Sequence, residues 1–170
     1  MDSPFSSLLL AEKMKEAKKL AEWFSKTFPD RFFVEIQNNG LDAQAELNVR
    51  AIELADKMGL PLVATCDAHY LKAGDDVSHD VLLCINTGRQ RADENRMRYG
   101  SNQFFIRTPE EMYQLFPNHT EAVSRSQEIA NSCEINFNFK QRHFPVFHLP
   151  RGTRPEDHLR ELAEAGLQER

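Results

Sequence analysis

The sequence has no long hydrophobic run, no close pair of cysteines and no excess of basic residues. Its apolar stretches all fall short of the roughly 20 residues that a membrane-spanning helix needs, so we expect no membrane partner. The three cysteines, at positions 66, 84 and 133, favour a reducing cytoplasm over a disulfide framework. The short apolar stretch at residues 7–10 has no basic flank before it, so we do not expect a signal peptide.

The charge balance gives no support to nucleic-acid binding by itself. Lysine and arginine number 21 and aspartate and glutamate 26 in 170 residues, a formal net charge of -5. Apolar residues make up 41% and charged residues 28%, which is typical of a folded globular chain. This length predicts one domain, or one domain with a piece of another. A function related to DNA therefore has to be argued from other features.

Several catalytic signatures are also absent from the sequence. There is no glycine-rich phosphate loop, no serine nucleophile elbow and no paired catalytic cysteine motif. There is no internal repeat and no low-complexity tract.

What the sequence contains is an alternation of helix and strand patterns. Apolar residues at spacings of three and four predict helices over residues 11–28 and 42–58. Short apolar runs predict buried strands at 31–37 and 60–65. This order favours a parallel α/β sheet or barrel. Beyond it we predict helices near 75–85, 108–116, 120–133 and 153–170, a strand at 103–107, and an extended connector at 136–150.

Two local features of these helices are predicted in more detail. The helix over 42–58 is expected to bury the face that carries its regularly spaced apolar residues, which are Ala45, Val49, Ile52, Ala55 and Met58. Thr108 and Thr153 each stand three residues before a glutamate, with a proline between, so both predict a capping box at a helix start.

Polar residues follow the second predicted strand directly, where ligands gather in parallel α/β folds. In the segment Cys66–Tyr70, Asp67 and His69 are two residues apart and point the same way if the chain is extended. Carboxylate oxygen and imidazole nitrogen suit zinc, manganese or iron. Asp67 and His69 are therefore candidate metal ligands, and the alternative is a structural hydrogen bond in a strand-end loop.

Other polar residues leave alternatives open. Glu35 lies within an apolar strand and is a ligand, a partner of a basic side chain or a residue of the exposed strand face; the last two together are favoured. His79 and Asp80 are interpreted as a surface or helix-packing pair. The arginines of the polar segment 88–100 either contact a phosphate backbone or a partner protein, or belong to a mobile solvated loop, which is favoured; they are at positions 89, 91, 96 and 98.

Six stretches, in one order along nearly the whole chain, resemble the catalytic alpha subunit of bacterial DNA polymerase III. They are Arg31–Gly40, Leu62–Tyr70, His79–Gly88, Phe104–Met112, Ala122–Cys133 and Phe144–Phe147. The resemblance implies that residues 1–137 are the C-terminal part of a PHP (polymerase and histidinol phosphatase) domain. It implies that residues 138–170 are the connector and first helix of the palm region. The implied fold class is α/β: a partial distorted β/α barrel of PHP type, followed by a helical and extended segment entering a second domain.

The resemblance also implies a function in DNA replication. The parent protein would be a DNA-directed DNA polymerase, a nucleotidyltransferase that uses magnesium, in the cytoplasm. Its partners would be DNA, deoxynucleotides and other replicase subunits, including a proofreading exonuclease. The palm aspartates would lie downstream of residue 170, so we assign no catalytic residue and expect this chain, a fragment or truncated reading frame, to be inactive alone. The alternatives are a PHP-type metal-dependent phosphoesterase and a non-catalytic module that docks a proofreading exonuclease.

For the metal, the resemblance places Asp67 and His69 on the last ligand motif of the PHP domain, with zinc or manganese as the ion. Many relatives have His at the position of Asn39 and Asn at the position of Cys66. The opening His-x-His motif of the domain would lie upstream of residue 1. The metal site is therefore expected to be incomplete, with weak or absent binding.

Overall fold

The computed structural model describes residues 3–149 and 152–170. The described residues contain two strands and seven helices, which are α1 (Pro4–Leu10), α2 (Met14–Thr27), β1 (Val34–Gln37), α3 (Asp42–Met58), β2 (Leu62–Thr65), α4 (Asp76–Thr87), α5 (Pro109–Leu115), α6 (Thr120–Ser132) and α7 (Pro155–Gln168). The contacts divide the chain into two units, one ending at Cys133 and one beginning at Glu134. No helix in the described ranges is long and apolar enough to cross a membrane.

The two strands lie parallel and are joined through α3. Val34 pairs with Leu62 and Gln37 with Thr65, so both strands end at the same edge. Helix α3 packs on β1 and helix α6 packs on β2. The predicted α/β class is confirmed at this level, and a parallel pair with its crossover helix is compatible with part of an α/β domain.

The core of the first unit lies between these strands and five of the helices. Its buried members are Leu9, Ala17, Val34, Ile36, Ala51, Leu54, Ala55, Leu62, Ala64, Met112, Phe116, Ala122 and Val123. Five of the thirteen are alanines, all on helices apart from Ala64 in β2, and such small side chains let backbones approach closely. The core therefore depends on a few large side chains, of which Leu9 and Ile36 are the most fully buried.

Helix α3 has the predicted bounds but buries a different part of its surface. Ala55 is buried as predicted, and Ile52 and Met58 are partly buried against the core. Val49 is 68% exposed, whereas Gln44 is 5% exposed. The helix is rotated from the predicted face because polar side chains near its start bind the end of β1.

The two predicted capping boxes have different outcomes. At α5, Thr108 Oγ1 accepts from the Glu111 backbone N–H at 3.2 Å, and Glu111 Oε2 accepts from the Thr108 N–H at 2.8 Å, which confirms the first box. The second is wrong, because α7 has Arg154 as its N-cap with no side-chain hydrogen bond. Thr153 lies one residue too early to reach the first free N–H groups of the helix.

The predicted strand at 103–107 is reduced to one parallel bridge between Tyr70 and Phe105. Phe104 and Phe105 are both buried, at 4% and 8% exposure. In a pleated strand, successive side chains point to opposite faces, so other residues must pack on both faces of the segment to bury Phe104 and Phe105. This segment lies beside the loop after β2 rather than extending the sheet as a full strand.

The second unit has little burial of its own. Its extended connector exposes Phe137, Phe139, Phe144 and Phe147 by at least 72% each. Helix α7 has no buried residue. The predicted extended connector and last helix are confirmed, although Pro150 at the connector's end lies outside the described residues, as do residues 1 and 2.

Candidate functional site at the carboxyl ends of the strands

Amide side chains tie the carboxyl end of β1 to α3. Asn48 Nδ2 donates to the Gln37 carbonyl at 2.6 Å, and Asn48 Oδ1 accepts from the Gln37 N–H at 3.4 Å. Gln44 Oε1 accepts from the Asn39 N–H at 2.6 Å, and Gln44 Nε2 donates to Gln37 Oε1 at 3.1 Å. The two α3 side chains thus satisfy backbone groups at the end of β1 that are not paired with β2, and they fix the position of this strand end.

Glu35 lies on the exposed face of β1. Its carboxylate accepts hydrogen bonds from Thr65 Oγ1 and, at 3.3 Å, from Gln37 Nε2. This confirms the exposed-face interpretation, because a carboxylate in contact with water and two donors needs no metal or basic partner.

Asp67 and His69 lie close to each other in the loop after β2. His69 Nδ1 is 3.0 Å from the Asp67 carbonyl oxygen and 3.7 Å from Asp67 Oδ1. The His69 N–H donates to the Phe104 carbonyl at 2.8 Å, which fixes the loop. Within residues 3–149 and 152–170, no three His, Cys, Asp or Glu side chains converge as a metal site would require.

These two residues do not fit a four-coordinate zinc or a six-coordinate manganese site. The ring nitrogen nearest the carboxylate already faces a backbone carbonyl, as the hydrogen-bonded alternative predicts. Two protein donors would leave half or more of the ligand positions to water. The ligand roles of Asp67 and His69 stay a prediction, and we derive no chemical step through a metal.

Aromatic rings from three separate segments surround His69. Its ring centroid is 4.7 Å from that of Tyr99, 5.5 Å from that of Phe104 and 5.6 Å from that of His79. Tyr99 in turn lies 5.1 Å from His79 and 4.8 Å from Phe104. The edge-to-face geometry is the favourable one for aromatic pairs. His79 is therefore a helix-packing residue, as predicted, whereas Tyr99 was not foreseen, since its polar surroundings in sequence hide its role.

A partly buried ion pair anchors residues 88–100, which we call the arginine loop, to α4. Arg96 Nη1 and Nη2 donate to the two carboxylate oxygens of Asp80 at 2.6 and 2.7 Å. The Arg96 side chain is 3% exposed and also donates to the carbonyls of Arg91 and Met97. The interpretation of this segment as a mobile solvated loop is wrong for Arg96, because a bidentate pair fixes both position and orientation.

The same pair changes the proton affinity of both partners. The hydrogen bond from Arg96 lowers the pKa of the Asp80 carboxyl below its ordinary value of 3.8, and weaker attraction from Arg91 and Arg98 acts in the same direction. The hydrogen bond to Asp80 raises the pKa of Arg96. Both groups therefore stay charged at neutral pH, and the loop stays attached to α4.

A cleft of about 330 Å³, which we call the α4 cleft, lies between α4 and the arginine loop. Its basic lining residues are Arg91, Arg96 and Arg98, and its acidic ones are Asp76 and Asp80. Tyr70, Tyr99 and Ser101 add hydroxyl groups.

Gly40, in the turn after β1, lies against Ser101, the residue that follows the arginine loop. Its φ of +73° lies in the left-handed region, and a Cβ there would come within 2.8 Å of Ser101 Oγ. The α4 cleft and the amide network at the end of β1 are therefore neighbours at one edge of the fold.

Replacing Arg96 by methionine is expected to release the arginine loop from α4. Asp80 would keep a partly buried charge without its bidentate partner. Trypsin should then cleave after Arg91 or Arg98 roughly tenfold faster than in the wild type, because cleavage needs local opening. The matched control is Lys57→Met, which removes an exposed ion pair to Glu53 and should leave the rate unchanged.

The pH dependence follows from the direction of the Asp80 shift. A carboxyl with a lowered pKa in the folded state stabilises the fold above its unfolded pKa, near pH 4, and loses this contribution as the pH falls through the folded value. Carbon NMR titration of Asp80 should give a pKa below 3.8 in the wild type and a higher one in Arg96→Met. Identical titration curves in the two proteins would contradict the ion-pair assignment.

Comparison with known proteins identifies the relatives of this chain. No family profile matches it. The DNA polymerase III subunit alpha of Treponema pallidum is 35% identical over 165 residues, which is 96% of this chain and 14% of the relative. That of Pseudomonas aeruginosa is 36% identical over 164 residues, again 96% of this chain and 14% of the relative. That of Thermus aquaticus is 38% identical over 146 residues, or 82% of this chain and 12% of the relative.

The chain is thus similar in sequence to one segment of bacterial DNA polymerases. More particularly, the relatives are DNA polymerase III alpha subunits, and the resemblance seen in the sequence is confirmed. The chain spans about one seventh of the length of these relatives.

Proposed function

We propose that this chain forms part of a DNA polymerase III alpha subunit. Residues 1–137 would be the C-terminal part of its PHP domain, a distorted β/α barrel, and residues 138–170 the connector and first helix of the palm region. The observation that carries the proposal is the match at 35% identity over 96% of the chain. The parallel β1–α3–β2 unit supports it, because a β/α barrel is built from such units and bears polar groups at the carboxyl ends of its strands.

In this proposal the parent protein performs template-directed DNA synthesis with DNA, deoxynucleotides and magnesium, in the cytoplasm. The chain itself supports the polymerase core and has no catalytic residue of its own, so it is inactive alone. A primer-extension assay of the purified chain with magnesium should give no product. Extension that survives removal of contaminating polymerase would contradict this assignment.

Reading the DNA on both sides of the reading frame tests the parent assignment directly. We expect codons for a His-x-His motif upstream and for the palm aspartates downstream, in the same frame. Stop codons on both sides, with neither motif, would contradict the proposal.

Docking of a proofreading exonuclease, or another replicase subunit, is a second candidate function. It is favoured by an apolar stripe on α4, where Val77, Val81 and Ile85 are exposed by 50%, 41% and 71% at spacings of four residues. If the stripe is the docking face, Ile85→Asp should abolish co-purification with the exonuclease, while Val49→Asp, equally exposed on α3, should not. Equal retention by both variants would exclude this face.

Metal binding at Asp67 and His69 is expected to be weak or absent. Calorimetric titration with zinc and with manganese should give no saturable isotherm, because two donors do not complete a site. A matched pair is available in His119 and Glu121, which are also two residues apart, with Nδ1 and Oε1 at 3.8 Å. Saturable binding of one ion that is lost in His69→Ala and kept in His119→Ala would overturn this prediction.

A further inference from the structure

The α4 cleft has a local charge opposite to that of the chain. Three arginines and two aspartates line it, whereas the whole chain has a formal net charge of -5. The negative charge of Asp80 is already matched by Arg96, so among the described residues of the lining Asp76 is the remaining acidic one. With Asp76 counted against them, Arg91 and Arg98 leave the cleft lining with an excess of one formal positive charge, which favours an anion.

These two arginines keep most of their hydrogen-bond donors for a ligand. The Arg91 side chain is 62% exposed, and its Nε forms an ion pair with Asp80 Oδ2 at 3.5 Å, which leaves the N–H groups of its two terminal nitrogens for a ligand. Arg98 Nη2 donates to the Asp93 carbonyl at 3.1 Å, which uses one of its five N–H groups and holds the side chain. Both guanidinium groups can therefore present a planar fork of donors to an anion.

The hydroxyl groups of Tyr70 and Ser101 add hydrogen-bond donors to those of the two arginines. Tyr70 Oη accepts from the Phe104 N–H at 3.2 Å, and Ser101 Oγ accepts from the Gln103 N–H at 3.1 Å. An oxygen that accepts from a backbone N–H still has its own O–H to donate. Because backbone groups hold both oxygens in place, little side-chain order has to be gained on binding.

We propose that the α4 cleft binds a phosphate group, as a monoester or a diester, between Arg91 and Arg98 with hydroxyl donors from Tyr70 and Ser101. A tetrahedral anion with several oxygens suits guanidinium forks and hydroxyls that converge from different sides. The volume of about 330 Å³ holds a phosphate with room for a sugar beside it. The proposal does not depend on the function proposed above, since it follows from the cleft's own donors.

Inorganic phosphate is the first probe, titrated into the full chain and followed by nitrogen–proton NMR at constant ionic strength. Saturable shifts should be confined to the arginine loop, Ser101 and the start of α4. The double variant Arg91→Gln with Arg98→Gln should weaken binding at least about tenfold, since charge-assisted hydrogen bonds to two cations are lost. Arg89→Gln, the same change in the same loop outside the cleft, should weaken it less than about twofold.

A single variant keeps the test decisive if the double variant disturbs the loop. Arg91→Gln alters a mostly exposed side chain and leaves the Arg96–Asp80 pair intact, so its spectrum should match the wild type away from the cleft. It should weaken phosphate binding about threefold or more. Wild-type affinity in Arg91→Gln, equal weakening by Arg89→Gln, or shifts spread over all basic surfaces would overturn the proposal.

Two further probes identify the source of the phosphate. A 5′-mononucleotide presents a monoester, and a short oligothymidylate without terminal phosphates presents only diesters. Competition of either probe with inorganic phosphate at the same amides supports the cleft and names the ester type. Failure of inorganic phosphate and of both esters to shift these amides would refute the proposal.

Discussion

Replacing Leu54 by alanine should lower the free energy of unfolding of the first unit by about 2–5 kcal/mol. Leu54 is 3% exposed and belongs to the core that α3 forms against β1. The substitution removes buried methyl groups and leaves a cavity that the surrounding side chains fill only in part. Urea denaturation followed by circular dichroism measures the loss, and an unchanged dependence on urea would show that only stability has changed.

The matched control lies five residues earlier on the same helix. Val49 is 68% exposed, so Val49→Ala should change the free energy of unfolding by no more than about 0.5 kcal/mol. A small gain is expected, because alanine has the higher helix propensity. The apolar pattern alone predicted Val49 to be buried, so a loss of stability at Val49 as large as that at Leu54 would place Val49 in the core and contradict its exposed position.

Replacing Gln44 by leucine should cost about 1–3 kcal/mol, although leucine is the more apolar residue. Gln44 is 5% exposed, and its side-chain oxygen is the acceptor for the Asn39 N–H at 2.6 Å. The variant would leave this N–H, in a residue that is 3% exposed, without its partner. Urea denaturation again gives the cost, and faster exchange of the Asn39 amide proton should accompany it.

An exposed glutamine provides the comparison for Gln44. Gln127 on α6 also uses its amide group, donating to Asn131 Oδ1 at 2.8 Å, but it lies in solvent. Gln127→Leu should therefore stay within about 0.5 kcal/mol of the wild type. If the two glutamine variants had equal stability, the amide network at the end of β1 would not contribute to the fold.

Local patterns predicted most of the helices correctly. Helix α3 runs over the predicted residues, and Gly59 ends it with a φ of +64°, the left-handed conformation that glycine adopts without strain. The capping box at Thr108 is another local signal, since its partners are three residues apart. Such features are readable because the groups that make them are neighbours along the chain.

Helix α1 was not predicted from the sequence, because it is only seven residues long. Its Ser3 N-cap and Pro4 are ordinary start signals, with Ser3 Oγ accepting from the Ser6 N–H at 3.0 Å. Seven residues are too few for a helix that is stable by itself. Contacts with α2 and α3 stabilise it, and Arg50 donates to the carbonyls of Leu9 and Leu10 at its end. Helix α2 follows closely in sequence, but Arg50 is 41 residues from Leu9 and 40 from Leu10.

The candidate site divides in the same way. Residue identities and short spacings are enough to predict the α/β class, the resemblance to DNA polymerase III alpha subunits and the position of Asp67 and His69 after a strand. The pairing of Arg96 with Asp80 across 16 residues and the packing of Tyr99 on His69 depend instead on the folding of distant segments against each other. Tertiary contacts also bury Gln44 of α3 and leave Val49 exposed, because the hydrogen bonds of Gln44 to the end of β1 outweigh the gain from burying Val49.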